Sequence, residues 1–144
     1  MGRVYTILDF IKAQYASLPS TTVDLTGRTV LVTGANTGLG REAARQLLQM
    51  KPRKLIMTSR SLIKGQEAMR WIIERAQETR PDVVEVWELD LANFESTKAF
   101  ARQCNQLERL DIALLNAGAE FLDWSVTKDG YETSWVRTNL CDLY

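Results

Sequence analysis

The sequence predicts an α/β fold in which a parallel β-sheet carries helices on both faces. From residue 29 onward, short apolar runs alternate with amphipathic helical segments, and the connections between them are short. Parallel strands need a crossover connection, usually a helix, so this alternation predicts parallel pairing. Right-handed crossovers then favour the strand order 3-2-1-4.

The first half of the sheet is predicted from two strand–helix pairs. Residues 29–33 form an apolar, β-branched run, and residues 38–50 an amphipathic helix that begins at a cluster of glycines. Residues 54–58 predict the second strand. The helix after it is expected over residues 61–78 and is ended by Pro81, since proline cannot continue a helix.

The third and fourth strands lead into polar residues. Residues 83–89 alternate in polarity and end in Asp90, after which Asn93 is expected to cap a helix. Residues 112–115 predict the fourth strand, which closes on Asn116-Ala117-Gly118. In a sheet of this order, ligands bind beyond the carboxyl ends of the strands, between the first and the fourth. We therefore expect the binding site at that edge.

Composition limits the function classes. The 144 residues are 45% apolar and 25% charged, which is typical of one globular domain. Basic and acidic residues number 18 each, so no general attraction to nucleic acid or anionic membrane is expected. The absence of histidine excludes Ser-His-Asp and Cys-His catalysis, and no metal site is predicted. Cys104 and Cys141 stand far apart, which fits unpaired thiols in a reducing, cytoplasmic compartment.

The N-terminal region is predicted to be separate from the domain. Residues 1–20 are expected to form an amphipathic helix (3–17) and a linker, ahead of an α/β domain over residues 21–144. The helix is too short and too polar to cross a bilayer. Residues 1–6 match the N-myristoylation pattern, but chance matches to so loose a pattern are common. Membrane attachment is therefore not expected.

A glycine-rich turn behind the first strand is the main functional signal. Such a turn directs the free amides and the positive dipole end of a helix at one point, which suits a pyrophosphate. Glycines also serve turns that bind nothing, and the spacing Gly34-x-x-x-Gly38-x-Gly40 differs from the G-x-G-x-x-G fingerprint. The candidate binding residues here are Thr33, Gly34, Asn36, Thr37, Gly38, Leu39 and Gly40.

From about Asp24 to Ser134, these motifs resemble the short-chain dehydrogenase/reductase family in order and spacing. The resemblance rests on the glycine turn, on Asp90 and on Asn116-Ala117-Gly118. It implies a Rossmann-type fold with a nicotinamide dinucleotide whose pyrophosphate lies against the turn. It also implies that Asp90 binds the adenine amino group, the alternative being a cap for the next turn. Asn116 would steady the fourth strand beside the adenosine ribose.

The choice between NAD and NADP is made after the second strand. A site that prefers NAD usually places an acidic residue there, whereas this chain has Arg60, followed by Lys64, with Arg41 nearby. A charge pair at about 4 Å is worth roughly 4 kcal/mol at an effective dielectric of 20, and about 1–3 kcal/mol after solvent screening. Arg60 is therefore expected to bind the 2′-phosphate of NADP, the alternative being an exposed loop arginine.

The family's catalytic residues are not found in these 144 residues. Its Tyr-x-x-x-Lys pair, in which the lysine lowers the tyrosine pKa, does not occur at any of the four tyrosines. Thr138 occupies the slot of the family's helix asparagine, and Asn139, the only catalytic candidate, follows one place later. We expect the last ten residues to be foreign to the family and the domain to be truncated. The fourth strand would then be an exposed, aggregation-prone edge.

Two functions follow from the resemblance. The first is an NADP(H)-dependent oxidoreductase acting on a small ketone or alcohol, similar to enzymes of secondary metabolism in fungal natural-product pathways. The second is a catalytically inactive dinucleotide-binding fragment, a remnant or a partner for a longer homologue. A homo-oligomer is compatible with either, and an NADP(H)-sensing regulator is a third hypothesis.

Overall fold

The computed structural model describes residues 6–16, 22–119 and 122–139. Residues 1–5 of the myristoylation pattern and Cys141 lie outside these ranges. The elements, in chain order, are α1 (Ile7–Gln14), β1 (Thr29–Val32), α2 (Gly38–Gln49), β2 (Lys54–Ser59), α3 (Leu62–Ala76), a 3-10 turn (Pro81–Val83), β3 (Val84–Glu88), α4 (Phe94–Cys104), β4 (Ile112–Leu114) and α5 (Thr133–Asn139).

The four strands pair in parallel in the order β3-β2-β1-β4, which confirms the predicted topology. β1 is central: Val30 lies opposite Leu55 of β2 on one side and opposite Ile112 of β4 on the other. All four residues of β1 are buried, as expected for a strand covered on both faces. The carboxyl ends of all four strands therefore point to one edge.

Helices cover the sheet on both faces. Alternate strand residues, among them Val32 and Met57, pack with Ala44 and Leu48 of α2 and with Ile72 of α3 in the larger core. On the opposite face, Leu31, Ile56 and Trp87 pack against Phe100 and Cys104 of α4. The period of two along each strand accounts for this division.

Most element boundaries differ from the predictions by a residue or two, and the end of α3 shows why. Helix α3 ends before Pro81, because Gln77 adopts a left-handed conformation (φ 57°) and the amide of Glu78 donates to the Ile73 carbonyl at 3.1 Å. This is the hydrogen-bond pattern of a helix C-cap, made here without glycine. Strand β4 ends at Leu114, one residue early.

Helix α1 is shorter than the predicted 3–17 because Thr6 caps it. The Thr6 hydroxyl accepts from the Asp9 amide at 3.3 Å, and the Asp9 carboxylate accepts from the Thr6 amide at 3.1 Å. The apolar residues of α1, such as Ile7 and Leu8, are exposed. No helix within the described ranges has both the length and the apolar character that a membrane crossing requires.

Strand β4 is the least covered part of the sheet. Ile112, Leu114 and Leu115 are each about 40% exposed (37, 38 and 45%). Asp111 holds the start of the strand to β1: its carboxylate accepts from the Thr29 amide and from Arg28, both at 2.8 Å, and from Arg109. Arg109, then Arg28 and the Thr29 amide, hold the pKa of Asp111 well below its usual value.

Candidate functional site

The turn between β1 and α2 is fixed to the neighbouring strand β2. Gly34 has a left-handed φ of 64°, and its amide donates to the Thr58 hydroxyl at 3.2 Å. The Ala35 amide donates to the carbonyl of the same threonine at 3.1 Å. Thr58 is buried and was not among the predicted site residues. A threonine at the end of a strand carries no distinctive signal in the sequence.

On its other side the turn is held by the segment after β4. The side-chain amide of Asn116 donates to the carbonyls of Thr33 and Gly34 at 3.1 and 3.4 Å. The backbone amide of Ala117 donates to the buried Thr33 hydroxyl at 2.9 Å. Thr33 and Asn116, both predicted site residues, thus join the turn to the end of β4.

The glycines of the turn are required by close contacts. A Cβ at Gly34 would lie 3.0 Å from the Ala117 Cα, and one at Gly40 would collide with the Asn116 side-chain nitrogen and lie 2.5 Å from the Gly34 oxygen. At Gly38 there is open space, but its φ of 55° favours glycine. The turn, called the glycine cradle below, therefore requires glycine so that α2 and the segment after β4 can approach it closely.

Helix α2 presents its amino end without a side-chain cap. Thr37 is its N-cap residue but makes no capping hydrogen bond, and the first turn contains no acidic residue. The free amides and the helix dipole are therefore available to an anion.

These groups meet in one cavity of about 370 Å³ at the carboxyl edge of the sheet. Its lining includes most of the predicted residues: Gly34, Asn36, Thr37, Gly38, Leu39, Gly40, Arg60, Asn116, Ala117 and Gly118. It also includes Thr58, Ser59, Leu89, Leu91, Ala119 and Arg137. The sequence motifs thus converge as the topology requires.

Three predicted residues, Thr33, Lys64 and Asp90, are not among the residues that line the cavity. Thr33 is buried beneath the turn. Lys64 is exposed in the first turn of α3, one helical turn beyond Arg60. Asp90 lies between the lining residues Leu89 and Leu91, and its carboxylate accepts from the Ala92 amide at 3.0 Å. The capping alternative for Asp90 is thus observed, and its adenine role stays a prediction.

Asn139 is the last residue of α5, and its side chain lies outside the described part of the chain. The neighbouring Arg137 lines the cavity and was missed by sequence reasoning. Nothing in the residue pattern marks it, because its place depends on how α5 packs against distant segments.

Near the turn, two arginines stack on one tryptophan. The guanidinium of Arg41, in the first turn of α2, lies 4.2 Å from the ring centroid of Trp71 on α3, and that of Arg75 lies 4.3 Å from it. The Arg41 contact joins α2 to α3, whereas the Arg75 contact lies within α3. They also direct Arg41 along α3, toward the middle of that helix.

Comparison with known proteins identifies relatives that share this arrangement. The family model described as short chain dehydrogenase matches residues 28–140. A short chain dehydrogenase of Arthrobotrys oligospora is 43% identical over 120 residues, covering 81% of this chain and 37% of the relative. One of Gibberella zeae is 37% identical over 135 residues, covering 94% of this chain and 39% of the relative. The chain thus spans little more than a third of the length of these relatives.

Solved structures are similar to this chain in fold as well as in sequence. Menthone neomenthol reductase from Mentha piperita is 34% identical with a TM-score of 0.59, over 65% of this chain and 32% of that one. The N-domain of a bacterial malonyl-CoA reductase, solved with NADP, is 26% identical with a TM-score of 0.58, over 67% and 18% of the two chains.

The family match corrects one expectation from the sequence. It continues to residue 140, past Ser134, so residues 135–140 follow the family pattern and are not foreign to it. Helix α5, which ends at Asn139, is accordingly part of the domain. With this helix, the Rossmann-type sheet and the glycine cradle in place, the chain belongs to the short chain dehydrogenase family.

Proposed function

We propose that this chain binds NADP(H) at the carboxyl edge of its sheet. One observation carries the proposal: the glycine cradle, the uncapped end of α2, Arg60 and the segment after β4 all line a single cavity. A Cβ at Gly40 would collide with the Asn116 side chain and the Gly34 carbonyl, so the close approach of α2 to the turn requires glycine. This geometry suits a pyrophosphate against bare amides.

Charge favours the phosphorylated cofactor. The cavity lining within the described residues contains two charged side chains, Arg60 and Arg137, and both are cations. Arg60 directly follows β2, where the adenosine ribose lies in this fold, and no carboxylate is placed there to bind a free 2′-hydroxyl. The NADP in the related malonyl-CoA reductase domain supports this choice. NAD is the less favoured cofactor.

We further propose that the whole protein is an oxidoreductase acting on a small ketone or alcohol, as in fungal secondary metabolism. Bound NADPH would supply the hydride, and the residues described here would bind and orient the cofactor. The similarity to fungal short chain dehydrogenases supports this proposal. A second candidate is an inactive dinucleotide-binding fragment. It is favoured by the absence of a Tyr-x-x-x-Lys pair from these 144 residues. The cytoplasmic location and any homo-oligomer stay predictions.

Cofactor titration of the Arg60→Leu variant tests the binding proposal. We expect NADPH affinity to fall about tenfold while NADH affinity changes less than about twofold, because only NADPH carries the 2′-phosphate. Arg70→Leu, at an exposed arginine of α3, is the matched control and should bind both cofactors like the unchanged chain. Calorimetry on folded material that detects no NADPH binding at millimolar concentration would refute the proposal.

Turnover separates the two candidate functions. NADPH oxidation with a panel of ketones should be absent from the 144-residue chain if it is a binding fragment. Measurable, ketone-dependent oxidation would instead show that the chain contains its own proton donor.

A further inference from the structure

Arg137 lines the cavity but has no role in the sequence motifs or in the family resemblance. It belongs to α5, is partly buried and lines the same cavity as Ala117 and Gly118. Among the cavity-lining residues that the structure describes, Arg137 and Arg60 are the charged ones, and both are cations. Such a site favours an anion.

Helix α5 is anchored firmly enough to hold this side chain in place. Val136, next to Arg137, is fully buried against Leu89 and Leu91. The Glu132 carboxylate accepts from the amides of Ser134 and Trp135 at 2.9 and 2.6 Å, which fixes the first turn of the helix.

The segment that leads into α5 is also attached to the rest of the domain. The Asp129 carboxylate accepts from the Phe94 amide at 3.0 Å, and the Phe94 and Tyr131 rings are 5.0 Å apart. Since Phe94 begins α4, the lead-in and α5 are both tied to described parts of the fold.

The position of α5 relative to the cradle follows from two close contacts. The Thr138 hydroxyl would lie 4.0 Å from a Cβ at Gly118, and the Ala117 Cα would lie 3.0 Å from a Cβ at Gly34. Helix α5, the segment after β4 and the turn after β1 are therefore stacked in that order. Arg137 lies on α5, which contacts the segment after β4 through Thr138 and the residues after β3 through Val136, whereas Arg60 directly follows β2.

We propose that Arg137, on α5, binds the pyrophosphate of the dinucleotide. This inference rests on the proposed NADP(H) function. The adenosine ribose of a dinucleotide lies on the β2 side in this fold, and the pyrophosphate lies at the central turn. A cation on α5, beside the segment after β4, meets the part of the cofactor that NADP(H) and NAD(H) share.

The two arginines thus predict different patterns of cofactor selectivity. Removing Arg137 should weaken NADPH and NADH binding by the same factor, about tenfold for the loss of one charge-assisted hydrogen bond. Removing Arg60 should weaken NADPH binding alone. The ratio of the two affinities therefore distinguishes a pyrophosphate ligand from a 2′-phosphate ligand.

The experiment is a fluorescence titration of NADPH and NADH with the 144-residue chain and its Arg137→Leu and Arg137→Gln variants. Arg102→Leu, an exposed arginine of α4, is the control and should bind like the unchanged chain. Circular dichroism checks the fold of each variant. The glutamine variant keeps a polar side chain in the cavity wall, and Arg137→Lys should restore part of the lost affinity.

The outcomes distinguish the assignment of Arg137 from the proposed NADP(H) site. Unchanged affinities in the folded Arg137 variants, or a loss confined to NADPH, would overturn the assignment of Arg137 to the pyrophosphate and leave the NADP(H) site standing. If the unchanged chain itself binds neither cofactor at millimolar concentration, both proposals are overturned together.

Discussion

The two sides of this sheet differ in how well they are packed, although both contribute to the same cavity. On the β1–β2 side, α2 and α3 bury Val30, Leu55 and Ile72 completely. On the β4 side, Leu114 and Leu115 stay more than a third exposed. The phosphate-binding turn therefore rests on the well-packed side. The segment after β4 depends on a few hydrogen bonds and on α5.

The difference shows where rigidity comes from in each half. The turn is rigid because its supporting strand lies in a close-packed core, in which each buried side chain contributes to stability. The Asn116–Gly118 segment is instead held by Asn116 and Thr33, which bond directly to the turn. On the β4 side, a substitution can therefore change the stability of the fold without changing the geometry of the site. On the β1–β2 side, a substitution that changes one also changes the other.

The largest expected effect contrasts the two sides directly. Ile72→Ala should lower the free energy of unfolding by about 2–5 kcal/mol, because Ile72 is fully buried and its truncation leaves a cavity under α3. Leu115→Ala, at a 45% exposed position, should change it by less than about 1 kcal/mol. Urea denaturation measures both, and equal losses would contradict the comparison.

Breaking the link between the two sides should have an intermediate effect. Thr33→Val keeps the shape of the buried side chain but leaves the Ala117 amide without the hydroxyl that accepts from it at 2.9 Å. We expect a loss of about 1–2 kcal/mol, toward the lower end of the cost of an unsatisfied buried donor, because this hydrogen bond is partly buried. Hydrogen exchange should show faster exchange at Ala117 and little change in α2. Uniform acceleration across the domain would argue that Thr33 supports the whole core.

The smallest expected effect is the pH dependence of stability that comes from Asp111, at the start of β4. The Asp111 carboxyl has a lowered pKa in the folded chain, so its pairs with Arg109, Arg28 and the Thr29 amide stabilise the fold above about pH 4. This contribution is lost as pH falls further, because protonation then favours the unfolded chain. Asp111→Asn should be less stable at pH 7 and should show a shallower decline between about pH 5 and pH 2. Urea midpoints across this range test it, and parallel curves for the two chains would contradict it.

The sequence predicted the parts of the site that local chemistry determines. The strand order, the α2 start at Gly38 and the Asn93 cap are confirmed, since periodicity and capping chemistry act over a few residues. The convergence of Arg60 and Asn116 on the glycine turn followed from the topology alone.

What could not be predicted depends on contacts between distant segments. Nothing near Arg137 in the sequence shows that Val136 would dock on Leu89 and Leu91 and so place an arginine in the cavity. The end of α3 is a similar case. The sequence predicts that the helix ends at Pro81, but it ends earlier at Gln77, whose left-handed conformation is uncommon for a residue other than glycine. Thr58 was missed because its bond to Gly34 joins residues 24 positions apart.

The Asn116 amide, bonded to both Thr33 and Gly34, has a consequence beyond the site. A dinucleotide seated against the turn selects the folded chain over the unfolded one by mass action. Because the amide couples that turn to the last strand, occupancy would also hold the exposed strand in register. The cofactor would in this way stabilise β4 against detaching from β1 and exposing the edges of both strands.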